Sequence, residues 1–149
     1  AEDALMIAAY IEREVPEIAK KVETETITAL YSFNNSEAHR LVYVIDRAGN
    51  YNQLVFNIIN YNLDNFDMPG ITVEMVNFIP QQNFVVVKGL RDGTEAIGYL
   101  QSIIGDAAVT EDIPGILPDP FVISESNFDS LIRDRSLSRY MQFFNENYR

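Results

Sequence analysis

Apolar residues at Leu5, Ala8, Ile11, Val15, Ile18 and Val22 recur at helical spacing. Pro16 falls in their midst, so the pattern reads as two short helices. Residues 23–28 are polar and β-branched, and residues 29–33 read as a short strand ahead of the turn-prone Asn34-Asn35-Ser36. From His39 the rhythm changes. Residues 40–46 (RLVYVID) are apolar on both faces, as a central strand requires. Gly49-Asn50 ends that run, and Leu54, Val55, Ile58, Ile59, Leu63 and Phe66 then mark one face of a helix. Pro69-Gly70 stops it. Two strand-like runs follow, 71–79 and 83–90, joined around Pro80-Gln81-Gln82 as a hairpin.

Asp92-Gly93-Thr94-Glu95 has the form of a capping box, in which an acceptor and a following Glu satisfy amides at a helix start. Ala96, Tyr99, Leu100, Ile103 and Ile104 continue as its apolar face, and Gly105 closes it. Residues 106–120 form a long acidic loop with Pro114-Gly115, Pro118 and Pro120. Residues 121–124 read as the last strand, followed by a helix capped near Ser126 and another begun at Ser136 or Ser138. The order from His39 is thus strand, helix, strand, strand, helix, strand, helix: an α+β ferredoxin-like βαββαβ sandwich with an extra C-terminal helix. Right-handed crossovers place both internal helices on one sheet face and leave the other for solvent, a partner or the added helix. The expected organisation is a helical connector plus a short strand over residues 1–38, and the sandwich over 39–149.

With 149 residues, 47% of them apolar, the chain suffices for one domain burying roughly 69% of its unfolded surface. Eleven Lys and Arg against 22 Asp and Glu give a formal charge of −11. Nucleic acid is therefore not an expected partner, because phosphate binding draws on clustered cations. No stretch reaches the ~20 apolar residues of a membrane span, so a soluble chain is expected. Absence of Cys excludes disulfides, thiolate metal sites and Cys nucleophiles.

The segments HRLVYVID, ITVEMVNF, NFVVVKGLRDGTEAIGYLQSI and FVISESNFDSLIRDRSLSRYMQFFNENY, in that order, resemble a known module. It is the C-terminal domain of the large tetratricopeptide-repeat lipoproteins of Bacteroidetes, a family associated with type IX secretion and gliding motility. The likeness spans residues 38–149 and is most specific in FVIS-E-S-NF and the helix ending FF-x-x-N-Y. Gly89-Leu90 departs from the family, which more usually has Phe there. The resemblance implies a scaffold facing the periplasm or associated with the outer membrane, whose upstream repeats and module bind envelope proteins. It brings no catalytic residues and no cofactor. Residues 1–37 are similar to the edge of a repeat array, although no 34-residue period is present.

Candidate chemistry is sparse. His39 is the single imidazole and reads as a strand-edge residue beside Arg40. Asp64 and Asp67, with Asn60, Asn62 and Asn65, offer oxygens without the ladder, Gly and terminal Glu of a calcium loop, so a helix end breaking into a turn is expected. Glu111, Asp112 and Asp119 form a solvated acidic loop, and Gly89-Leu90-Arg91-Asp92-Gly93 a strand-to-helix turn without a phosphate-loop Lys. No catalytic, cofactor or metal residues are assigned. Val85-x-Val87-x-Gly89-Leu90 followed by Thr94-Glu95-Ala96 resembles half of the sporulation-related repeat, which implies, as the alternative function, binding of peptidoglycan glycans on the open sheet face. The stripe Tyr140, Met141, Phe143, Phe144 and Tyr148 is wider than an exposed helix tolerates and is the candidate surface for a partner or for self-docking.

Overall fold

In the computed structural model, which describes residues 2–117 and 119–149 and the side chains from residue 16 onward, an α+β arrangement is built on one open antiparallel sheet. The elements are α1 (Glu2–Leu30), β1 (His39–Asp46), α2 (Tyr51–Asn65), β2 (Thr72–Ile79), β3 (Gln82–Leu90), α3 (Gly93–Ile104), β4 (Phe121–Ser124), α4 (Glu125–Asp134) and α5 (Leu137–Tyr148). The sheet order is β2-β3-β1-β4, every neighbour antiparallel.

The N-terminal segment differs from its sequence reading. One continuous helix replaces the expected pair, with Pro16 inside it. Proline removes one amide donor and crowds the preceding turn, but that is a local loss in a helix of 29 residues. Within the β-branched run, which is helical, Thr24, Thr26 and Thr28 each donate their hydroxyl to the carbonyl four residues back, at 3.0, 2.9 and 3.0 Å, so their polar groups are satisfied inside the helix. Ala29 and Leu30 end α1, and residues 31–33 form no strand. What overrides the strand signal is packing: Ile27 and Tyr31 are both 3% exposed in the core. Of the expected N-terminal apolar stripe, Leu5, Ala8, Ile11 and Val15 lie outside the described side chains. Ile18 and Val22 are exposed.

Pairing registers assign the two sheet faces. Leu41 and Tyr43 of β1 stand with Val87 and Val85 of β3, and Val122 of β4 joins Leu41. This face carries α2 and α3, which are tied together by Tyr61 Oη with Ser102 Oγ and by Tyr99 Oη donating to Asn62 Oδ1 at 2.5 Å. Arg40, Val42 and Val44 share the opposite face with Phe84, Val86, Phe121 and Ile123. There Phe78 stacks on Phe84 at 4.2 Å and Phe128 of α4 reaches Phe84 at 6.3 Å. The face left free by the crossover helices is thus covered, by Phe128 of α4 and, at Phe121, by Tyr140 and Phe144 of α5.

Local chemistry fixes the helix ends. Asn50 Oδ1 accepts from Gln53 N, and Asp92 Oδ1 accepts from Glu95 N at 2.8 Å while Glu95 returns a carboxylate oxygen to Arg91 N at 2.7 Å. Gly89 has φ +99°, and a Cβ there would lie 2.3 Å from Gly70 O. Only glycine permits that approach of β3 to the turn entering β2.

Candidate functional site

The aromatic stripe of α5 packs within the chain. Tyr140 and Phe144 are fully buried and Phe143 nearly so, whereas Met141 and Tyr148 are half-buried. Tyr140 meets Tyr31 edge-on at 5.2 Å and Phe121 at 5.2 Å, and Phe144 stacks with Tyr148 at 5.4 Å. Tyr140 Oη donates to Val122 O at 2.6 Å, so α5 lies against β4 and satisfies a carbonyl of that strand. Beyond the end of β4 a loop continues along β1: Asp46 N donates to Gly115 O at 2.8 Å and Leu117 N to Val44 O at 2.9 Å. On this side α5 covers β4 at Val122, and beyond the end of β4 the 115–117 loop pairs with β1.

The opposite edge is different. Among the described residues β2 pairs only with β3, and its outward amides and carbonyls meet no other segment. Thr72, Glu74 and Asn77 are exposed. Beside this edge lies an open groove of ≈ 480 Å³ between the end of α2 and the turn into β2, lined by Ile59, Leu63, Phe66, Ile71 and Val73, with Asp67 as its charged residue. The helix face expected to be buried is divided here. Leu54 and Ile58 are fully buried, but Leu63 is 76% and Ile59 42% exposed. Ile59 and Leu63 lie on the flank of α2 that lines the groove, whereas Ile58 and Tyr61 of the same turns are buried and Tyr61 and Asn62 reach Ser102 and Tyr99 of α3.

The other residues singled out in the sequence have structural partners. His39 is fully buried, with Nδ1 2.7 Å from Glu37 O and Nε2 2.7 Å from Tyr148 Oη. Asn62 is used by Tyr99, and Asn65 Nδ2 donates to Tyr61 O at 2.9 Å. Asp67 is at the groove, while Glu111, Asp112 and Asp119 are exposed. The described residues contain no group of three His, Asp or Glu placed to hold a metal ion, and no helix long and apolar enough to cross a membrane. Arg139 of α5 bridges Glu23 of α1 and Asp134, each at 2.8 Å.

Three arrangements had no signal in the sequence. Arg40 lies 4.4 Å over the Phe128 ring and forks onto Glu125 at 2.9 and 2.6 Å. Asn127 is a buried clamp: its amide accepts from Ser32 N at 3.2 Å and donates to Ser32 O at 2.9 Å. Glu37 accepts from Ser126 N at 2.7 Å at the start of α4. Asn127 and Ser126 thus tie residues 32–37 to the start of α4, and Arg40 ties α4 to β1. Burial pushes the phenols of Tyr31, Tyr43, Tyr99 and Tyr140 up, and that of Tyr148 to about 12.

Comparison with known protein families, with curated proteins and with solved structures yields no match for this chain.

Proposed function

We propose that this chain is a non-catalytic protein-interaction module, a scaffold part of a cell-envelope assembly of the kind that tetratricopeptide-repeat lipoproteins form, framed as a ferredoxin-like βαββαβ sandwich. The antiparallel order β2-β3-β1-β4, with both crossover helices on one face, supports the frame. The family resemblance of residues 38–149 supports the envelope setting at the periplasmic side of the outer membrane. One observation carries the function: among the described residues β2 presents an edge unpaired on one side beside an apolar groove, while α5 covers β4 at Val122. An open strand edge adjoining exposed apolar side chains is a surface for protein contact. The acids of the loops and of the end of α2 offer no desolvated pair for acid–base work, and the raised phenols belong to packing aromatics.

A peptidoglycan-binding module is the second reading, supported by the Val85, Val87, Gly89-Leu90 pattern leading into α3. Phe128 and Arg40 occupy part of the sheet face that a glycan strand would use, which weighs against it. The discriminating experiment presents the tagged chain to an envelope extract and, separately, to purified peptidoglycan. A defined envelope protein retained at one-to-one stoichiometry, with no more sedimentation on peptidoglycan than a control protein, is the expected result. Saturable sedimentation on peptidoglycan without a stoichiometric protein would overturn the interaction reading.

A further inference from the structure

Resting on the interaction reading, we propose that β2 and the groove beside it receive an extended segment of a partner protein, which adds a strand to the sheet and alternates apolar side chains with Lys or Arg. The strand edge determines the form of the occupant. Eight residues of β2 (Thr72–Ile79) pair on one side only, and the groups on the other side are met most directly by another extended backbone.

The two faces of β2 then determine its side chains. Val73 and Met75 stand on the face that carries α2, so side chains of an added strand on that face point toward exposed Ile59 and Leu63 and are apolar. Thr72, Glu74 and Val76 stand on the other face, where Glu74 is exposed and its neighbour Lys88 is 3.4 Å away on the β3 side. A cation opposite Glu74 has that carboxylate to meet. At the groove end of β2 the charge points the same way, since Asp67 is the charged residue of the groove lining, while Arg47 and Arg135 lie at the other end beside Asn77 and Ile79. Charge also decides against a second copy as the occupant. Two β2 edges laid together bring Glu74 and the Asp67 rim of each chain toward acids of the other, in a molecule of net charge −11.

The test uses the whole chain and a blocked alternating valine–lysine peptide of about eight residues, the length of a typical strand. Its controls are the same peptide N-methylated at alternate residues, which cannot pair with a strand edge, and a valine–glutamate peptide. Amide spectra of the isotopically labelled chain report both affinity and location. The expected result is saturable binding that shifts β2 amides and weakens at least tenfold with N-methylation and with Leu63→Glu. Glu74→Lys should lower affinity for the lysine peptide and raise it for the glutamate peptide. Binding indifferent to N-methylation and to Glu74→Lys, as diffuse attraction to an acidic surface would be, overturns the proposal, as does no binding at all. A stoichiometric envelope partner that Leu63→Glu and Glu74→Lys leave in place would overturn this site while leaving the interaction reading intact.

Discussion

His39 Nε2 lies 2.7 Å from the hydroxyl of Tyr148, joining the first residue of β1 to the last turn of α5. The direction of the bond follows from the other ring nitrogen. Nδ1 faces the Glu37 carbonyl at 2.7 Å, which only accepts, so Nδ1 carries the proton and Nε2 accepts from the phenol. Tyr148→Phe keeps the ring stack on Phe144 and leaves a buried imidazole nitrogen without its donor. We expect a loss of about 1–3 kcal/mol in chemical denaturation, with little change in far-ultraviolet dichroism.

Alkaline pH should unfold the protein. Burial raises the phenols of Tyr31, Tyr43, Tyr99, Tyr140 and Tyr148 above their unfolded value of about 10. The folded state therefore binds protons that the unfolded state releases. The associated stability is fully present below about pH 10 and is lost as pH rises beyond it. Tyrosinate absorbance followed together with dichroism should show these five ionising with unfolding and not ahead of it.

Arg135, at the C-terminus of α4, has φ +61° and is the one non-glycine residue with positive φ among those described. The left-handed conformation costs a side-chain-bearing residue about 1–2 kcal/mol, whereas glycine adds about 0.4–1 kcal/mol of unfolded-state entropy. Arg135→Gly is expected to stabilise by about 0.5–1 kcal/mol, and Arg135→Val to destabilise; thermal melts give both signs.

The two halves of the α2 apolar face should separate by mutation. Leu54→Ala removes a fully buried side chain and is expected to cost about 2–5 kcal/mol. Leu63→Glu changes a residue that is 76% exposed, and denaturation should register no more than about 0.5 kcal/mol. A surface variant that leaves folding unchanged is what the binding experiments require.

Much of the frame was legible because its signals are local: alternating valines for β3, Pro69-Gly70 for a stop, Asp92 and Glu95 for a helix start. The strand expected at residues 29–33 shows the limit, since the burial of Ile27 and Tyr31 against the core is a tertiary fact. Periodicity shows the apolar face of α2 but not which part of it is covered, so the exposure of Ile59 and Leu63 beside buried Leu54 and Ile58 is not legible in it. The aromatic stripe of α5 was visible as a surface needing cover; its partners Tyr31 and Phe121 lie far away in sequence. For the same reason the edge groove, assembled from α2, the 66–71 turn and β2, left no motif.

The sheet is asymmetric on this account, with α5 packed on β4 and the β2 edge open to an incoming strand. Residue-resolved amide hydrogen exchange of the free chain tests it most directly. Alternate amides of β2, those facing away from β3, should exchange rapidly, while β1 and β3 exchange slowly. Uniform protection along β2, equal to that of β1, would show that its edge is already occupied and would contradict the account.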